Sequence, residues 1–120
     1  MAALSSLMAQ DVETTGLSPL QFEKTSHNFG IIAQNIPVSH TFRVTNSGDF
    51  RVVINDISTP CGCTTPVYEQ GLQLNPGESS EITLTYNAQA IGAFIKTATV
   101  TYNKDQTVSL TLTGEVIPGD

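Results

Sequence analysis

The chain has 120 residues, the usual length of one domain, and only 13 % of them are charged. Five basic residues are scattered among eleven acidic ones, which gives a net charge of −6. No basic stripe exists to neutralise phosphates, so the composition argues against nucleic-acid binding and against attachment to an anionic membrane surface. No apolar run is long enough for a membrane span, and membrane insertion is therefore not predicted.

Residues 1–17 are predicted to be a disordered leader and linker in front of the folded domain. Residues 1–9 are uncharged and rich in Ala, Leu and Met. They resemble the end of a signal-peptide hydrophobic region, with Ala9 as the small residue before the cleavage site. A basic region in front of them is missing, and the alternative interpretation is a poorly ordered apolar tail. The signal-peptide interpretation predicts a periplasmic or secreted protein.

The N-terminal half of the domain shows short segments of alternating apolar and polar residues. The first two candidate strands lie at 20–24 and 27–32, and Gly30 predicts a bulge or a close backbone approach in the second. Residues 38–45 alternate over their whole length and end at the turn formers 46–49. A β-branched run then leads into the cysteine stretch.

The C-terminal half continues the same pattern. Short pieces at 67–68 and 72–74 precede a turn at 75–78, in which Pro presets one dihedral angle and Gly permits the next. Residues 93–102 and 108–116 alternate cleanly, and 103–106 is predicted to close a hairpin between them. Apolar residues nowhere recur at helical spacing over a helical length. The pattern predicts an all-β sandwich or barrel of seven to nine short, mainly antiparallel strands.

Five motifs occur in a fixed order along this pattern. They are HNFGII at 27–32, HTFRVTNSGD at 40–49, CGCT at 61–64, NPGES at 75–79 and LTGEV at 112–116. Together they resemble the bacterial domain of unknown function 1573, an immunoglobulin-like family related to ASH/Hydin and major sperm protein domains. The chain departs from that family at Asn28, where Asp is usual, and at Pro60, where Ser is usual. The resemblance implies an immunoglobulin-like β-sandwich over residues 18–117 and an exported, bacterial setting, and it implies no catalysis.

Cys61-Gly62-Cys63 contains both cysteines of the chain, and three interpretations of the pair stay open. In an extended segment, residues two apart point the same way, and Gly62 adds freedom to bring the sulfurs together. The first interpretation is structural, as two buried thiols or as a disulfide across one glycine. The second is a soft-metal site, with Cys61 and Cys63 as thiolate ligands of a cuprous ion. The third is thiol–disulfide exchange, although no nearby basic residue except Arg51 would lower a thiol pKa.

His27 and His40 are the remaining candidates for a metal cluster. They lie far from the cysteines in sequence and lack the local spacing of zinc motifs. We therefore predict that His40 is a strand residue with a hydrogen-bonded ring, and that His27 makes a backbone contact at the crossing of the first strand.

No hydrolase elbow and no phosphate-binding glycine loop occurs in the sequence. The sequence thus predicts a non-catalytic exported module that binds an unidentified protein partner through loop ends or an exposed strand edge. No cofactor, nucleic acid or small-molecule substrate is expected. The alternative is a soft-metal or thiol redox protein that uses the cysteine pair.

Overall fold

A computed structural model describes residues 19–119, so the leader predicted at 1–17 lies outside the described residues. Within 19–119 the chain forms nine strands and no helix, and hence no helix that could span a lipid bilayer. In chain order the strands are β1 (Leu20–Phe22), β2 (Ser26–Ala33), β3 (Val38–Asn46), β4 (Val52–Ser58), β5 (Thr64–Val67), β6 (Gln73–Leu74), β7 (Ser79–Tyr86), β8 (Gly92–Tyr102) and β9 (Gln106–Ile117).

The strands form two sheets around one core. One sheet has five strands in the order β2-β9-β8-β4-β6, and the other has four in the order β1-β3-β7-β5. The pairing of β2 with β9 is parallel, and the other pairings are antiparallel. The chain changes sheet at every connection from β1 to β8, and β8 and β9 then follow each other within the five-stranded sheet. This arrangement confirms the prediction of an immunoglobulin-like sandwich of seven to nine mainly antiparallel strands.

The core consists of the alternate side chains that the two sheets turn toward each other. On β8, Phe94, Val100 and Tyr102 are buried, while the outward-facing Ile95 is exposed. Phe94 stacks on Tyr86 of the other sheet with the ring centroids 4.4 Å apart. The predicted hairpin is also present, since Tyr102 pairs with Gln106 at its end.

A bulge interrupts the parallel pair β2–β9, as Gly30 predicts. Gly30 has a φ of 74°, and the register shifts between Thr113 and Glu115 on the neighbouring strand. The close backbone approach is made by Gly114. A Cβ atom on Gly114 would lie 2.8 Å from Cζ of Phe94 and 2.9 Å from the carbonyl oxygen of Gly30.

The connection between β4 and β5, which contains the cysteines, is shorter than the prolines of this stretch suggest. β5 begins at Thr64 and includes Pro66, which pairs with Leu84 of β7. Proline fits here because β5 is the edge strand of its sheet, so the missing N–H removes no bond to a second neighbour.

Candidate functional site

The cysteine stretch forms the connection from β4 to β5, and it therefore carries the chain from one sheet to the other. Cys61 and Cys63 are joined by a disulfide, with their Cα atoms 5.2 Å apart. The backbone N–H of Asn87 donates to the carbonyl of Cys63 at 2.9 Å. The hydroxyl of Thr59 lies 3.1 Å from the carbonyl oxygens of both Cys61 and Thr64. This geometry corresponds to the first of the three interpretations, in which the pair is structural and forms a disulfide across Gly62.

In this state the two sulfurs are bonded to each other and offer no thiolates. The soft-metal and exchange roles of Cys61 and Cys63 both require the reduced pair, and they stay predictions. Within residues 19–119 no group of three or more His, Cys, Asp or Glu side chains could hold a metal ion. A soft metal at this place would have the two cysteines as its protein ligands.

The two histidines meet between the sheets, at the side where β2 and β3 face each other. The rings of His27 and His40 stack with their centroids 3.8 Å apart and their planes 9° apart. Phe29 and Phe42 contact the two rings edge-on, at 4.6 and 4.8 Å. Burial lowers the pKa of His40, and the charges of His27 and Lys24 lower it further.

This stacking differs from the contacts predicted for the histidines. In the described part of the chain, neither ring hydrogen-bonds to another protein group, and the flat face of each ring packs against the other. A lowered pKa of His40 favours its neutral form, which avoids placing two positive rings face to face. The pair therefore packs the β2–β3 side of the sandwich and does not join the cysteines.

A strand edge on β8 offers a geometry for binding. β9 pairs with β8 over its whole length, from Gly92 to Tyr102. On the other side, β4 pairs only with residues 99–102 of β8, because β4 ends at Ser58 opposite Thr99. Among residues 19–119, no strand neighbours residues 92–98 on that side. Such an edge presents unpaired N–H and C=O groups that a further strand can use.

The side chains along this edge alternate between the two faces of the sheet. Ile95 points outward and is 73 % exposed. Lys96 points inward, since its partner on β9 is the fully buried Leu112. The Nζ atom of Lys96 lies 5.8 Å from the centroid of the Tyr86 ring, which is a cation–π distance. The edge thus combines an exposed apolar side chain with a half-buried cation.

A shallow apolar depression of about 440 Å³ adjoins this edge on the outer face of the sheet. Gly30 and Gly114 lie at its base, because neither has a side chain to fill the space, and Phe94 lies beneath them. The exposed side chains of Ile31 and Ile95 flank it. Ile95 therefore belongs to both features and joins the depression to the edge.

The sequence predicts an exposed edge but does not say which one. A clue is present at Ile95, the large apolar side chain on a face that otherwise carries Ala93, Thr97, Thr99 and Thr101. Which part of β8 is exposed depends on where β4 ends. The β-branched run that forms β4 does not by itself predict that end.

The two sheets, the change of sheet by the first strands and the parallel β2–β9 pair define an immunoglobulin-like domain. Solved structures share this fold. The seventh ASH/PapD-like domain of human CEP192 has a TM-score of 0.66 and 14 % identity, over 99 % of this chain and 96 % of that one. SSP-19 of Caenorhabditis elegans, an MSP-domain protein-like family member, has a TM-score of 0.57 and 15 % identity, over 72 % and 92 %.

The VesB protease of Vibrio cholerae also contains this fold. Its TM-score is 0.68 at 15 % identity, over 81 % of this chain. The chain spans only 32 % of the protease, so most of that protein lies outside the likeness. These similarities show the fold alone.

The family is shown by sequence. A family model described as "Protein of unknown function (DUF1573)" matches residues 20–116. The chain therefore belongs to this family, as the resemblance predicted. No match was found among curated proteins.

Proposed function

We propose that this chain is a non-catalytic protein-interaction module that accepts an extended segment of a partner as an added strand on β8. The observation that carries the proposal is the free edge of residues 92–98, whose opposite side is fully paired with β9. The added strand would continue the line of β4 and complete the five-stranded sheet at this end. Main-chain hydrogen bonds would supply affinity, and alternate side chains would supply specificity.

The edge strands β6, β5 and β2 are less suited to this role. β6 has two residues, and β5 carries Pro66. β2 is distorted by the bulge at Gly30, whose N–H is already bound by the side chain of Asn28 at 2.8 Å. Short strands, prolines and bulges are common means of preventing strand addition. Residues 92–98 include Gly92 at their start but no proline, and they pair regularly with β9.

We further propose that the module acts after export, in the periplasm or outside the cell. Two observations support this setting: the apolar character of residues 1–9, and a disulfide, which persists in oxidising compartments. Mass spectrometry of the native protein is expected to show a start near Gln10. Native protein that keeps Met1 in a cytosolic fraction would contradict export.

The strand-addition proposal is tested with a displayed library of extended eight-residue segments. Segments selected on the native protein are expected to bind it, and NMR shifts on binding are expected to centre on the amides of residues 92–98. Ile95→Glu places a charge on the outer face of the edge, and we expect it to weaken binding at least about tenfold.

The matched control is Phe50→Glu. Phe50 is 83 % exposed and precedes β4, so it lies toward the opposite end of β8 from residues 92–98. This variant is expected to bind the segments within about twofold of the native affinity, and both variants should keep the native melting temperature. Selected segments that shift other amides, or that bind equally well to Ile95→Glu, would refute the β8 edge as the binding site. Failure to select any binder would count against the interaction module itself.

A further inference from the structure

Lys96 lies in the middle of the free edge and faces the interior of the sandwich. An inward-pointing charge on an edge strand disfavours pairing with an apolar strand, because the charge would lose water without gaining a partner. Lys96 interacts with the ring of Tyr86, and in residues 19–119 the ion pair present joins Arg43 to Glu23 elsewhere. The charge of Lys96 is therefore not matched by a carboxylate in the described part of the chain.

The alternation of an added strand determines which partner residue meets Lys96. Residues directly opposite each other in paired strands share a face, with their Cβ atoms about 5 Å apart. A partner residue opposite Lys96 would therefore point inward, and its neighbour opposite Ile95 would point outward. A carboxylate fits the first position, and an apolar side chain fits the second, next to the depression that Ile31 and Ile95 flank.

The charge of the whole chain limits how acidic the partner can be. Eleven acidic residues against five basic ones repel a strongly acidic segment at long range. A single carboxylate opposite Lys96 gains the local attraction with little of that repulsion. Selectivity would then arise from two effects. The charge of Lys96 disfavours a wholly apolar strand, and the negative net charge disfavours a strongly acidic one.

Resting on the proposed function, we infer that the β8 edge selects extended segments with one acidic residue opposite Lys96 and an adjacent apolar residue opposite Ile95. Lys96 is thus the residue that determines the specificity of strand addition. Its action requires no change in the fold, because it uses the side chain in the position that the free domain already shows.

The test exchanges charges between protein and segment. Segments selected as above are expected to share an acidic residue next to an apolar one. A chosen segment is then compared with its Asp→Lys form, by fluorescence anisotropy at low salt, on the native protein and on Lys96→Glu. We expect Lys96→Glu to weaken the acidic segment about five- to tenfold and to bind the Lys form more tightly than the native protein does.

Lys104→Glu is the matched control. It changes the net charge by the same amount, but Lys104 lies in the turn between β8 and β9, away from residues 92–98. It is expected to change both affinities by less than about twofold. Lys96→Gln removes the charge without adding a new one. It should abolish the preference between the two segments, and melting curves check that each variant is folded.

The outcomes separate this inference from the function on which it rests. Segments that shift residues 92–98 but bind native protein and Lys96→Glu alike would overturn the specificity role and leave strand addition standing. Tighter binding of the acidic segment to Lys96→Gln would show that Lys96 only blocks the edge, and would also overturn it. Equal effects of Lys96→Glu and Lys104→Glu would assign the change to net charge and refute the inference. Absence of any binding segment would refute both proposals.

Discussion

Gly114→Ala is expected to destabilise the domain by about 2 to 3 kcal/mol, with Gly114→Val costing more. The added Cβ would lie 2.8 Å from Cζ of Phe94 and 2.9 Å from the carbonyl oxygen of Gly30. Neither neighbour can yield easily, because Phe94 is stacked on Tyr86 and Gly30 is held between Asn28 and Ile31, which both pair with β9. Urea unfolding followed by circular dichroism measures the loss as a lower free energy of unfolding.

The control for this substitution is Gly62→Ala. No atom lies within 4 Å of a Cβ built on Gly62, and its backbone needs no left-handed conformation. We expect this variant to remain within about 0.5 kcal/mol of the native free energy of unfolding. Equal stabilities of the two variants would show that β2, β9 and Phe94 can separate at no cost, and that the close approach at Gly114 is not a constraint.

Asn46→Ala is expected to cost about 3 kcal/mol, from three lost hydrogen bonds of about 1 kcal/mol each. The side chain of Asn46 is fully buried, and its Nδ2 donates to the carbonyls of Phe50 and Leu74, both at 2.8 Å. Its Oδ1 accepts the N–H of Gly48 at 2.9 Å. Alanine would leave the buried carbonyl of Leu74 without this donor. The same unfolding measurement gives the result.

Asn28→Ala provides the comparison at an exposed position. The Oδ1 of Asn28 also accepts an N–H two residues ahead, from Gly30 at 2.8 Å, but water can replace it there. A loss below about 1 kcal/mol is expected. Asn46→Asp should be at least as harmful as Asn46→Ala, because a carboxylate would face the carbonyls of Phe50 and Leu74. A small effect of both substitutions at Asn46 would show that this buried network contributes little to stability.

Asn46 and Gly114 stabilise the part of the fold that supports the β8 edge. Asn46 ties the end of β3 to β6, next to β4 in the five-stranded sheet. Gly114 allows β9 to pass close to Phe94, and the resulting space forms the base of the depression beside Ile95. Substitutions there should weaken segment binding only as far as they unfold the domain, whereas Ile95→Glu and Lys96→Glu should act on the folded protein. Stability and binding can therefore be measured separately.

The sequence by itself determined the local elements of this protein. Alternation assigned the inward residues of β8, and Asn75-Pro76-Gly77-Glu78 predicted a turn that is present, with Gly77 at a φ of 87° and a 2.9 Å bond from the Glu78 N–H to the Asn75 carbonyl. Such features depend on a residue's own dihedral preferences and on its nearest neighbours, so they can be found along the chain. The order of five motifs likewise identified the family.

Which backbone groups and side chains are accessible to a partner strand depends on the tertiary structure. β4 ends at Ser58, opposite Thr99, so that among residues 19–119 no strand lies beside residues 92–98 of β8 on that side. The stacking of His27 on His40 joins residues that no sequence spacing relates. A free edge is the absence of a neighbour, and it follows from the register between distant segments rather than from the composition of the edge strand. For that reason Ile95 and Lys96, ordinary members of an alternating strand in the sequence, become candidate binding residues only in the folded domain.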